Sequence, residues 1–600
     1  MSYIRSNDVH PTSERIPCPA SVAAVLRSVA RVDGLMLVTL AAITLLLYVY
    51  PLSLGVPLMD PDEGLHASIS QEMVEQNSFV MPRLLGRSFY DKPILFFWIQ
   101  AASLKLFGEH EAAVRVPGLL FGLLVAVTTG LLGWTLFGRW VGVLAACFQS
   151  TLLLPLAESQ AGGPDVVLVV WTNLALLFLW RADRGTSWNR RIRNAAAAGL
   201  CLGLAILTKG LAGPAIVYVA FVTSLLVCKR LRREALVIIF MSGIVGLAVA
   251  APWYVLVERL HPGYLHYYFV DRHLHGYFGG RQRHGSAVSW YYLPVIAGGS
   301  MPWGLYLAGA MTRGNQATRE TDSSHAHTLL WIWLASGVLF LSAGSAKLAT
   351  YALPLFPAIG LLAALPWSEA LKRPDARPSK ALQRILDGHA AIVGILPFVV
   401  MVTIERRYQL GFAAHAWFAA AVLALCGLAA RAPWARRQGA VALGAVSMLT
   451  TLMFLFGVAV VFPRVATIAS SRDLAMYLNT AGTLPEHLWI VDDRGGSVVF
   501  YLRPTLRRSL APGQFESIST PCVRERLRNS SGRSALVAVR ERRFSSFDAL
   551  VPASGLPYAR AGQFRLFTSE LLPQPPFQFV GAWEFDRWRC SNPLIGGDVR

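Results

Sequence analysis

Residues 60–93 read DPDEGLHASISQEMVEQNSFVMPRLLGRSFYDKP and follow directly on an apolar segment from Leu35 to Tyr50. Ionisable groups held against a membrane surface are costly unless they serve a purpose. Asp62 or Glu63 supplies a candidate base, and Arg83, Arg87 and Lys92 are candidate anion-binding groups. A carboxylate to take a proton, with cations to hold a phosphate, is equipment for chemistry on a charged lipid. Asp60 rivals Asp62 from two residues away; its plainer explanation is a turn or helix cap in MDPDEG.

The elements that must position these groups are membrane helices. The chain has 600 residues, 54% hydrophobic and only 15% charged, with mean hydropathy +0.45; ordinary soluble domains carry roughly 25% charged residues. Apolar stretches long enough to cross the hydrocarbon recur near 33–55, 113–136, 140–157, 165–181, 195–208, 212–228, 235–257, 289–310, 327–343, 350–367, 387–404, 413–430 and 439–462. The expected fold is therefore a polytopic α-helical membrane protein of about thirteen spans. Within the first outer loop, LHASISQEMVEQ repeats Leu65, Ile69, Met73 and Val74 at helical spacing and predicts a helix lying in the interface. ILFFWIQAASLKLFG is apolar but interrupted by Gln100 and Lys105, and is read as interfacial or half-buried rather than spanning.

Basic loops define the cytoplasmic side: the tail with Arg5, Arg15, Arg27 and Arg31, then RADRGTSWNRRIRN, KRLRRE, LKRPDARPSK and RAPWARRQ. The net charge of +20 follows from this topology and from anionic headgroups, and a nucleic-acid partner is not expected. The organisation is then a cytoplasmic tail over 1–32, a transmembrane domain over 33–463, and an outer domain over 464–600. In the last, LWIVDD, SVVFYL and ALVAVRE alternate with DDRGGS and NSSGRS, the pattern of a small soluble α/β domain. Its Cys522 and Cys590 are open to pairing in an oxidising compartment, which spacing does not decide. The polar tail ahead of the first apolar segment predicts no cleavable leader.

Polar groups collect at the outer ends of other spans. Asp165 stands at the mouth of the fourth, and Lys209 in the reversal ILTKGLAGP; Asp271, Arg272, His273, His275, Arg281, Arg283 and His284 lie between the seventh and eighth, and Lys347 and Tyr351 in SAGSAKLATYALPLFP. Singly, each has a plain explanation, a lysine at a span end being one that snorkels. Together they describe a cavity with acidic and basic groups at headgroup depth.

DE followed by an amphipathic helix, then VMPRLLGRSFYDKPILFFWI, GGPD, LTKG, PWYVLV, HLHGYF, WYYLPV, MPW and KLATYALPLFP, in order from about residue 30 to 365, resembles the bacterial aminoarabinose-transferase group. These are integral-membrane glycosyltransferases of the C superfamily, more distantly related to protein O-mannosyltransferases. The resemblance implies a bacterial inner-membrane enzyme with a periplasmic active site, a polyprenyl-phosphate sugar as donor, and a lipid or glycan acceptor such as lipid A. It implies catalytic roles for Asp62 and Asp165, and donor-phosphate contacts from Lys92, Lys209 and His273. The substrate cavity is expected to take in Glu63, His66, Arg83, Tyr90, Asp91, Arg272, Lys347 and Tyr351. Asp91 stands where the family has Glu, Leu65 and His66 where it commonly has Arg-Tyr, and Gly276 where it has Arg after HLH. Those departures shift phosphate contacts towards Arg83, Arg272 or Arg281. With lysines holding the phosphate, no cofactor is required; a divalent metal would have Asp91 and His273 as its two weak candidate ligands. A single displacement at the sugar carbon inverts its configuration. The alternatives are a protein O-mannosyltransferase-type enzyme and a lipid-linked sugar transporter, whose expected internal symmetry is not visible in the sequence.

Overall fold

The computed structural model describes residues 42, 44–278, 288–311, 321–372, 379–430, 439–511, 513–529 and 534–572. Cys18, Arg281, Arg283, His284, Cys590 and the tail over 1–32 lie outside the described residues. The chain is mostly helical. Eight helices among the described residues are long and apolar enough to cross a membrane, or nine if the bent pair α4 (Arg139–Ser150) and α5 (Leu153–Gln160), 57° apart, is one span. This makes it an integral membrane protein.

The helices that carry or flank the candidate residues of the first loops are α1 (Asp62–Glu75), α2 (Leu95–Phe107), α3 (Glu111–Phe137), α6 (Pro164–Asp183) and α7 (Trp188–Lys209). Each begins or ends where the sequence punctuates it. His110 caps α3, its Nδ1 accepting from Ala113 N at 3.3 Å, and Gly138 ends it at φ +92°. Pro164 opens α6 and sets Asp165 in its first turn, where the helix dipole favours a negative charge.

Two expectations are corrected. The stretch 289–310 is not one helix but three short pieces, Tyr292–Gly299, Trp303–Tyr306 and Leu307–Met311, because Pro294, Gly298, Gly299, Pro302 and Gly304 interrupt it. Nor does α1 keep the exposed polar face expected of an interfacial helix. Its Ser68, Ser70 and Gln71 are as buried as Ile69 and Met73, since Ser68 Oγ donates to Gly496 O, Ser70 Oγ to Gln100, and Gln71 Nε2 to Glu109 and Phe500 O. Polar residues with partners on every side clamp α1 between α2 and the C-terminal region.

That region contains a mixed sheet in the order β4-β3-β5-β7-β6, with β3 His487–Val491, β4 Phe515–Ile518, β5 Ala535–Arg540, β6 Ala559–Ala561 and β7 Phe564–Thr568; β1 Arg83–Leu84 and β2 Arg87–Ser88 form a separate hairpin. β3 runs parallel to β4 and β5, while β7 is antiparallel to β5 and β6. The period of two divides β3: Trp489 and Val491 pack with Val523 and Phe547 on one face, whereas Leu488 and Ile490 join the core that continues into the membrane region. Cys522, beside Val523, is disulfide-bonded.

Candidate active site

Asp62 opens α1, and His66 follows one turn later on the same face. Lys92, from the YDKP turn before α2, brings Nζ to 2.7 Å from His66 Nε2. Burial, with Lys92 adding to it, drives His66 down to about 3, so the ring is neutral and Nε2 accepts from the ammonium. Its other nitrogen, Nδ1, is buried without a hydrogen-bond partner among the described residues. The surroundings of Asp62 desolvate it, but the charges of Lys92, Arg494 and Lys209 hold its carboxyl below the ordinary aspartate range. Burial likewise pulls Lys92 below the usual lysine range, with Asp62 opposing it. Asp62 therefore stays ionised, and it is open to solvent.

Asp165 in the first turn of α6 and Lys209 at the end of α7 form an ion pair, and Lys209 Nζ sits 4.3 Å from the centre of the Tyr351 ring. Gly210 at φ +70° turns the chain immediately after Lys209. Lys347 is buried and donates to Gly344 O at 2.6 Å. Glu158, at the end of α5, lies within electrostatic range of Asp165, Lys209, Asp62 and Lys92. The sequence reading passed over it, although ESQAGGPD sets it seven residues before Asp165 on the same outer loop.

Asp91 turns instead to Arg272, whose Nη1 is 2.8 Å from Oδ1, and to the Tyr267 hydroxyl at 3.0 Å. His273 Nδ1 stands 2.6 Å from Tyr268 O. With Asp91 taken by a cation and His273 by a carbonyl, the two do not fit a metal centre, and among the described residues no three His, Cys, Asp or Glu side chains are grouped to hold an ion. Arg272 is spent on Asp91, and Arg83 lies beside His261, which in turn meets the Tyr90 hydroxyl at 3.2 Å. Arg272 nonetheless lies within electrostatic range of Lys92, as Asp62 does.

The neighbours of Asp62 in sequence face elsewhere. Glu63 is buried in a two-point ion pair with Arg115, at 2.7 and 2.9 Å, and accepts from Met59 N at 2.8 Å. It is a structural anchor rather than a cavity group. Asp60 does not cap α1 but turns to the C-terminal region: it accepts from Ser497 N at 2.7 Å, Ser497 Oγ at 2.8 Å and Ser471 Oγ at 2.6 Å, with Arg540 3.8 Å away. Nothing in the local sequence announces these partners, which come from more than 400 residues away.

Residues 91–255 match the family model for dolichyl-phosphate-mannose-protein mannosyltransferases. The undecaprenyl phosphate-alpha-4-amino-4-deoxy-L-arabinose arabinosyl transferase of Aeromonas salmonicida is 30% identical over 64% of this chain and 69% of its own length. The corresponding transferase 1 of Sodalis glossinidius is 33% identical over 55% of this chain, and the match spans 58% of that relative's length. The crystal structure of ArnT from Cupriavidus metallidurans bound to undecaprenyl phosphate has the same fold, with a TM-score of 0.68 at 22% identity over 89% of this chain and 97% of that one. On the sequence matches, this chain belongs to the family of undecaprenyl phosphate-alpha-4-amino-4-deoxy-L-arabinose arabinosyl transferases.

Proposed function

We propose that the protein is an inverting glycosyltransferase that moves a sugar from a polyprenyl-phosphate donor to a periplasmic acceptor such as lipid A, another glycolipid or a glycan. The observation that carries this reading is the company Asp62 keeps: an ionised, open carboxylate flanked by Lys92 and by the Asp165–Lys209 pair. The relatives' names supply the donor class. In the step, the bond between the anomeric carbon and the phosphate oxygen breaks, and its electron pair leaves with the phosphate, which Lys92 and Lys209 neutralise. The acceptor oxygen bonds to the opposite face of that carbon; where the acceptor is a hydroxyl, its proton passes to Asp62. Asp165 holds Lys209 in place, and His66 fixes the direction of the Lys92 ammonium. Arg272 beside Asp91 already supplies a cation there, so no resident metal is needed.

We place the enzyme in the bacterial inner membrane. The eight long helices, the bent α4–α5 pair, the broken stretch over 292–311 and the shorter apolar helices Thr44–Leu54, Ala212–Val227 and Ala414–Ala429 make about thirteen spans. This leaves residues 1–32 cytoplasmic, the transferase domain over 33–463, and 464–600 periplasmic. Cysteine probes replacing Ser88 should label from outside, and those replacing Ser187 or Ser379 only after permeabilisation; the reverse would invert the topology. Purified protein given labelled polyprenyl-phosphate sugar should move label from the lipid to the acceptor, and label that never leaves the lipid would defeat the assignment. The match over 91–255 favours one second reading, transfer to a protein hydroxyl, which the same assay detects as labelled polypeptide.

A further inference from the structure

Of the cations around Asp62, Lys92 and Lys209 belong to the membrane region, whereas Arg494 comes from the loop Asp492–Ser497 of the C-terminal region. That loop packs closely on α1. A side chain at Gly64 would fall 2.5 Å from Ser497 Cβ, and one at Gly496 would fall 2.8 Å from Leu65 N, so the loop lies backbone to backbone on the first turn of α1. Ser497 N and Oγ hold Asp60 from the same loop. The intervening residue, Arg494, is exposed, and its guanidinium has no ion-pair or hydrogen-bond partner among the described residues, while its charge reaches Asp62.

The loop is built to hold that position. Asp492 sits at φ +51°, a conformation an L-residue rarely adopts, and its carboxylate accepts from Thr520 N at 3.2 Å and from the Thr520 hydroxyl. Asp493 is fixed on the other side by buried Arg540, whose Nε is 2.5 Å from Oδ2. Two anchored acids thus precede one unanchored arginine. The first turn of α1, Asp62 to Leu65, carries no cation of its own.

We propose that Arg494 completes the phosphate site from the C-terminal domain, contacting the phosphate of a polyprenyl-linked donor or of a phosphorylated lipid acceptor when either is seated at Asp62. The planar guanidinium suits a phosphate that Lys92 and Lys209 grip as point charges. This rests on the glycosyltransferase reading above, and it gives the C-terminal domain a direct part in binding.

The test uses the full-length protein in lipid nanodiscs and compares wild type, Arg494→Ala and Arg494→Lys for binding of undecaprenyl phosphate and, separately, of bis-phosphorylated lipid A. Arg494→Ala should weaken one of them about fivefold to tenfold, with Arg494→Lys within about threefold of wild type and the thermal midpoint unchanged. Loss confined to undecaprenyl phosphate assigns the contact to the donor; loss confined to lipid A assigns it to the acceptor. Equal binding of both probes by wild type and Arg494→Ala overturns the proposal and leaves the glycosyltransferase reading standing. So does a loss that comes with a lowered thermal midpoint, because Arg494 would then be a brace for the loop. Wild type that binds neither probe overturns the glycosyltransferase reading itself, and the proposal with it.

Discussion

Three carboxylates lie within four residues at the start of α1, and they meet opposite fates. Asp60 and Glu63 are buried and fully engaged, the first by the C-terminal domain and the second by Arg115; Asp62, between them, is open and surrounded by cations it does not neutralise. The two anchors fix the backbone on either side, so the middle carboxylate is aimed without spending its own lone pairs. A side chain kept free by its neighbours' commitments is what a proton acceptor in a preorganised site requires.

The contrast is broken most severely at Asp62. Asp62→Asn keeps the volume and removes the charge and the base, so single-turnover transfer should fall by about a thousandfold while undecaprenyl phosphate binding and the thermal midpoint stay near wild type. Near-normal turnover would reject the role. Removing an anchor should do the reverse. Arg115→Ala leaves Glu63 buried without its partner and should cost about 3–5 kcal/mol of stability, read as a fall in the thermal midpoint in detergent; if the midpoint holds, the ion pair is not the anchor it is taken to be here.

A smaller effect is expected at Lys92. Lys92→Ala should weaken donor binding by about tenfold to thirtyfold, and Lys92→Arg should retain part of it, because charge survives while the geometry against His66 changes. Unchanged affinity would move the phosphate to Lys209.

The smallest effect concerns pH. Burial raises the Asp60 carboxyl from 3.8 to about 6, so between those values the folded chain binds a proton that the unfolded chain releases. The stability from this group is complete below about pH 4 and is lost as pH rises through about 6. Thermal midpoints of wild type should carry this component, and Asp60→Asn should lack it while leaving turnover at neutral pH nearly untouched. Identical slopes for the two proteins over that window would show that Asp60 is ionised throughout.

Much of the open half of this comparison was legible in the sequence. Asp62, Lys92, Asp165 and Lys209 announce themselves because charge at the end of an apolar run is expensive, and the helices bring these loops to one face. The anchored half was not. Arg115, in EAAVRVPG, drew no attention because its partner Glu63 lies 52 residues away, and the apolar repeat of α1 suggested an interfacial helix because its polar partners Gly496 and Phe500 lie more than 400 residues further on. Arg494 was read as part of a turn-rich stretch, and Glu158 was overshadowed by Asp165. The span over 289–310 was sound in composition, but its prolines and glycines were underweighted as helix breakers.

The fit of Gly64 against Ser497 also bears on how the chain is made. The polypeptide emerges from its N-terminus, so α1 is synthesised more than 400 residues before the loop that seats it. A nascent chain already carries Asp62, Lys92, Asp165 and Lys209 while α1 still has an unoccupied side, with Ser68 lacking Gly496 O and Gln71 lacking Phe500 O. The seat of α1 is therefore completed last, once the loop at Ser497 has been made and folded. A product truncated before β3 lacks that seat, and is expected to move no label from the lipid donor.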